Sequence, residues 1–125
     1  MSNDAYLGNP NLKKVNTPVE FGEQEIIEYQ KCSKDPLYFM ENYVRIVSLD
    51  EGLVPFKMYP FQKKIVETIH ENRFTICKLP RQSGKSTTTI SYLLHYALFN
   101  PNSNIAILAN KSSTARDILG RLQLA

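Results

Sequence analysis

The sequence predicts an α/β protein built on a parallel sheet with flanking helices, and three observations predict it. Residues 74–79 are an apolar, strand-forming run from Phe74 to Leu79. A short polar loop carries that run directly into an amphipathic helix that should extend from Ser86 to about Phe99. After the stop signal Asn100, Pro101, Asn102, a second apolar run follows from Asn104 to Ala109. Strand, helix and strand of this length form a right-handed unit with parallel strands.

The loop between the first strand and the helix carries the chemistry. It reads Pro80, Arg81, Gln82, Ser83, Gly84, Lys85, Ser86, Thr87. Backbone N–H groups at a helix N-terminus point outward with the positive end of the dipole and can cradle an anion. Gly84 leaves the backbone without a Cβ where a phosphate must approach closely. Lys85 can reach the β- and γ-phosphates of a nucleotide, and the Ser86 hydroxyl can ligate Mg²⁺. The pattern is the Gly-Lys-Ser end of a phosphate-binding (P-loop, Walker A) motif, G-x-x-x-x-G-K-[ST]. Leu79 stands where that motif has its first glycine.

Composition restricts the class without choosing within it. At 125 residues, 42% hydrophobic and 22% charged, the chain has room for one modest core. Net charge +3 does not by itself call for nucleic acid. Lys57 to Lys85 holds seven basic residues against two glutamates, which suits a segment facing phosphates and equally a solvated basic face. Cys32 and Cys77 match no metal-ligand spacing and are expected as free thiols in a reducing compartment, Cys77 in the buried strand. No apolar run is long enough to span a membrane, and Met1 to Asp4 lacks the basic and apolar regions of a signal peptide. These features fit a cytosolic-type protein.

Taken in order, residues 1–16 are expected as a loose polar arm, with a turn signal from Gly8 to Asn11. Residues 17–56 should form helices and a hairpin. Thr17, Pro18 and Glu20 make a helix-start signature for a helix running to about Lys31. Asp35 and Pro36 start a second, with Phe39, Met40, Tyr43 and Val44 on an inward face. Ile46 to Ser48 and Val54 to Phe56 read as a small hairpin, with Pro55 marking an edge strand. Residues 57–125 should be the nucleotide-binding part. There Pro60 starts a helix to about Glu71 with Phe61, Ile65 and Ile69 along its stripe. On the helix after the loop, Ile90, Leu93, Leu94, Ala97 and Leu98 make a face suited to lying on a sheet, while Thr87, Thr88 and Thr89 lower helical propensity at its start. A last helix from about Ser113 places Ala115, Ile118, Leu119 and Leu122 together. His70 and His95 have no acid or thiol at useful spacing and read as structural or exposed.

Gln62 sits in the first turn of its helix, away from the centre of the apolar stripe. In many ATP-driven motors a glutamine after an aromatic, shortly before the phosphate loop, reads adenine. Its amide donates to N7 and accepts from the N6 amino group. Phe61 and Gln62 are the adenine candidates here, and an exposed helical glutamine is the plain alternative.

Together, the sequence from Pro60 to Gln62, the strand to Leu79, the loop Pro80 to Ser86 and the strand Ile105 to Ala109 resemble the large terminase subunit of tailed bacteriophages, the T-even-like type in particular. The most specific piece is Arg-Gln-x-Gly-Lys-Ser, since this family lacks the first glycine and carries an arginine, as Leu79 and Arg81 do. Ala109, Asn110 and Lys111 also resemble the family's pattern. The resemblance covers the chain from about Asp35 onward. It implies a partial P-loop NTPase of the RecA-like (ASCE) type, part of an ATP-driven motor that packages viral double-stranded DNA. It implies ATP and Mg²⁺ as cofactors, the portal protein and small terminase subunit as partners, and the host cytoplasm as the place of action. Lys85 and Ser86 would hold triphosphate and Mg²⁺, Phe61 and Gln62 adenine, and Arg81 would contact the γ-phosphate, either stabilising transition-state charge or only neutralising phosphate without a catalytic role.

Such an ATPase also needs a strand ending in Asp-Glu for Mg²⁺ and water, and none follows Ala109. Nor is there a carboxylate cluster for a nuclease. The expectation is therefore an incomplete sheet in an N-terminal fragment that does not hydrolyse ATP alone. Two alternatives stand beside it: part of a helicase-like, nucleic-acid-dependent ATPase, and a short non-catalytic nucleotide- or partner-binding protein.

Overall fold

The structure, a computed structural model, describes residues 5–7, 9–48 and 50–125. The expectations for Met1 to Asp4 and Gly8, and for Leu49 in the hairpin turn, fall outside the described residues. Where a loose arm is expected, Ala5–Tyr6 (β1) and Asn9–Lys13 (β2) pair antiparallel.

Helix α1, Glu23–Lys34, starts later than the Thr17 signature predicts. A helix begun at Pro18 would carry Gly22 in its interior, at a cost of roughly 1 kcal/mol relative to Ala. The chain instead uses Gly22 as the cap, and its N–H donates to Glu25 Oε2 at 2.8 Å. Glu23 and Glu25 in the first turn and Lys31 and Lys34 in the last agree with the helix dipole. Helix α2, Pro36–Tyr43, begins where Asp35 and Pro36 predict, and Asp35 Oδ1 accepts from the Tyr38 N–H at 3.1 Å. Phe39, Met40 and Val44 are buried. Tyr43 is half exposed, stacked on Phe39 at 6.0 Å with its hydroxyl turned to Glu28.

A hairpin forms where one is expected, but its second strand starts earlier, at Gly52, and ends at Pro55 rather than Phe56. Strands β3 (Arg45–Ser48) and β4 (Gly52–Pro55) pair antiparallel from Arg45 opposite Pro55 to Ser48 opposite Gly52. Among the described residues β4 pairs with β3 alone, as an edge strand with Pro55 requires. Helix α3, Pro60–Glu71, buries Gln62, Ile65 and Val66. Helices α4, Lys85–Phe99, and α5, Ser112–Leu124, follow. The core gathers Cys32, Phe39, Met40, Val44, Phe56, Met58, Val66 and Tyr92, so α2, α3, α4 and the hairpin exit share one interior. It draws on residues from both sides of the expected boundary at position 56.

Three expectations are corrected. Residues 74–79 and 104–109 form no strand, and no parallel ladder joins them. Parallel sheets persist when covered on both faces, whereas here Phe74 is 82% exposed, Ile76 98% and Leu108 87%. Cys77, expected inside, is accordingly exposed. On α4 the most buried face is Thr88, Ser91, Tyr92 and His95, with Ile90 beside it, while Leu98 of the expected apolar face is mostly exposed. The hydroxyls tolerate burial because Thr88 Oγ1 donates to the Gly84 carbonyl at 2.9 Å and Ser91 Oγ to that of Thr87 at 2.8 Å.

The two histidines differ: His95 is buried and structural, whereas His70 is exposed. The His95 Nε2–H donates to the Cys32 carbonyl at 2.8 Å, and burial pushes its pKa down despite that bond. His70 Nδ1 lies 3.2 Å from the Tyr92 hydroxyl. Both cysteines are free. Among the described residues no helix is long and apolar enough to cross a membrane.

Candidate functional site

The first turn of α4 fixes the site. Gly84 caps the helix in the left-handed region, φ 73° and ψ 13°, a conformation that glycine adopts without a Cβ penalty. Space imposes the same choice, since a Cβ there would lie 2.6 Å from Gln62 Nε2. Gln82 also has positive φ, 59°, so the loop turns tightly before the helix begins. Ser83 Oγ donates to the Pro80 carbonyl at 3.0 Å. Lys85 Nζ folds back and donates to the carbonyls of Leu79 at 3.3 Å and Pro80 at 3.2 Å. The ammonium therefore lies over the loop rather than out in solvent.

Gln62 departs from its expected exposure. It is 4% exposed, and its Oε1 accepts the Tyr59 N–H at 2.8 Å, capping its own helix. The reason is local: the start of α3 faces the polar backbone of the loop, and the apolar floor begins only at Ile65 and Val66. Phe61, expected on the buried stripe, is instead 42% exposed and stacks on Tyr59, ring centroids 6.0 Å apart and planes 6° from parallel.

A cleft of about 740 Å³ brings Phe61 and Gln62 together with Leu79, Pro80, Arg81, Gln82, Ser83, Gly84 and Thr87. Lys85 and Ser86 line a second cleft of about 410 Å³ on the other side of the loop, beside Cys77, Thr89 and residues 106–108. The candidate residues are thus split by the loop into a Phe61/Gln62 side and a Lys85/Ser86 side. Sequence reasoning missed Tyr59 and Lys57 on the first cleft. The signal for Tyr59 was its place just before Pro60, at the N-cap position of α3.

Loop, glycine cap and helix N-terminus make an element that can receive an anion, with backbone N–H groups and an ammonium converging on one turn. For a cation the donor set is sparse. Ser86 presents an exposed hydroxyl, and among the described residues no group of three His, Cys, Asp or Glu side chains could hold a metal ion.

Residues 76–122 match the family described as terminase large subunit, T4likevirus-type, N-terminal. Over this stretch the chain is similar to that family, the N-terminal part of a phage terminase large subunit. The match takes in the loop, all of α4 and most of α5, and it begins after Phe61 and Gln62.

Proposed function

We propose that this chain supplies the ATP-binding element of a DNA-packaging terminase motor. The observation that carries the reading is the cleft shared by Phe61, Gln62 and the loop from Leu79 to Gly84. It puts an aromatic face next to a helix N-terminus, as a nucleobase and its phosphates require. In this reading the backbone of Pro80 to Thr87 holds the triphosphate, Lys85 leaves the loop carbonyls to meet the β- and γ-phosphates, and Ser86 ligates Mg²⁺. Phe61 packs on the adenine, and Gln62 reads it while bracing Gly84. Arg81, exposed at the cleft, neutralises charge at the γ-phosphate. Bound ATP would supply the free energy of translocation.

The same reading makes residues 74–79 and 104–109 strands of a RecA-like parallel sheet once neighbouring strands cover them. Its partners are viral double-stranded DNA, the portal protein and the small terminase subunit, met in the host cytoplasm. Titration with a fluorescent ATP analogue tests the loop. Lys85→Ala should abolish binding while the circular dichroism spectrum is retained. Unchanged affinity in that variant would sink the assignment.

A further inference from the structure

A third concavity lies away from the loop residues. A groove of about 480 Å³ runs between α1, α2 and the end of α4, lined by Phe21, Tyr29, Phe39, Phe99 and Leu98 with Glu28 at its edge. Its aromatic floor is already packed: Tyr29 and Phe99 centroids are 5.1 Å apart, and Phe39 meets Phe99 edge-on at 5.5 Å. These contacts already order part of the groove lining, which lowers the ordering cost of binding.

Glu28 gives the groove a sign. Its Oε1 accepts both the Tyr38 hydroxyl at 2.6 Å and the Tyr43 hydroxyl at 2.9 Å. Oε2 has no hydrogen-bond partner among the described residues. Those two phenols, Tyr38 foremost, hold the carboxyl pKa below its ordinary value, and the Tyr43 phenol is pushed up to about 12 by the same bond. Lys31, the nearest cation in sequence, sits over the Tyr38 ring at 3.7 Å and forms no ion pair with Glu28 among the described residues. From Val15 to Gln30 the chain has four glutamates and no lysine or arginine, in a protein of net charge +3.

We propose that this groove docks an arginine-bearing apolar segment of a partner protein, with the guanidinium paired to Glu28 Oε2 and lying on the aromatic walls. A planar cation is the occupant that uses both features, because guanidinium stacks on aromatic faces and pairs with a carboxylate in one pose. An acidic or purely apolar segment would bury the Glu28 charge without a partner.

The test uses the full chain and two synthetic helical peptides, one with arginines along its polar face and one with each arginine replaced by glutamate. Isothermal titration should show binding of the first and none of the second. Glu28→Gln should weaken it by about tenfold or more. Leu98→Lys, a change at an exposed lip that leaves Glu28 and its tyrosines in place, should do the same, and it decides the question if Glu28→Gln fails to fold. Equal binding of both peptides, or arginine-peptide affinity untouched by Leu98→Lys, would overturn the proposal. So would concentration-dependent dimerisation of the chain that Leu98→Lys abolishes, since the occupant would then be a second copy.

Discussion

A methyl group at position 84 would sit 2.6 Å from Gln62 Nε2 while holding an L-residue at φ +73°. Gly84→Ala should therefore cost on the order of 1–3 kcal/mol, one part from the left-handed backbone and one from displacing Gln62. Urea unfolding separates the two. Gly84→Ala combined with Gln62→Ala should lose less than the sum of the single variants, and simple additivity would mean the two side chains do not press on each other. His95 makes a second prediction at this scale. Its folded pKa lies below the ordinary 6.5, chiefly through burial. The unfolded chain then takes up the proton first on acidification. Stability is full above about 6.5 and falls as pH drops from there toward the folded pKa. Thermal midpoints at about pH 7 and about pH 5 should differ, and His95→Gln, which can still donate to the Cys32 carbonyl, should shrink that difference.

Among elements, α2 has the plainest local cause. Removing the Asp35 carboxylate, which accepts from the Tyr38 N–H, should cost about 1 kcal/mol. An Asp35→Ala urea midpoint equal to that of the parent would show the helix to be held by tertiary packing alone. Elements whose ends carry chemistry were legible: α2 at Asp35 and Pro36, α3 at Pro60, and the hairpin around Gly52 and Pro55. The start of α1 was not, because Thr17 and Glu20 offer a local signature that Gly22 makes costly to continue. Nor was the inward face of α4. Hydropathy ranks Thr88 and Ser91 as outward residues, and only their bonds to carbonyls one turn back make burial tolerable. At the site, the residue types in the loop were readable from spacing. The burial of Gln62 depends on which backbone lies opposite it, and periodicity reports a side of a helix rather than its neighbour. Strand propensity at residues 74–79 failed for the related reason that a strand is completed by its partners.

At the scale of the whole molecule, two regions carry opposite character. The segment around the loop is basic and the approach to α1 is acidic. Within and just after the basic segment, Phe74, Ile76 and Leu108 expose apolar surface of the kind that marks an interaction site or an aggregation liability. Ile76→Lys should reduce both the binding of a hydrophobic dye and self-association. Its stability should change by less than about 0.5 kcal/mol, because a side chain 98% exposed packs against almost nothing. Loss of folding in that variant would show that residues 74–79 are held more firmly than their exposure suggests.

The two cysteines also differ in a way that turns the molecule into its own clock. Cys77 is exposed beside the loop, whereas Cys32 is buried with its thiol pKa pushed up, chiefly by burial. A chromogenic thiol reagent should consume one equivalent at once and the second only as the core opens. The slow phase times the opening of the Cys32 interior without any added probe. A fluorophore placed on the fast thiol reports from the wall that Cys77 shares with Lys85 and Ser86.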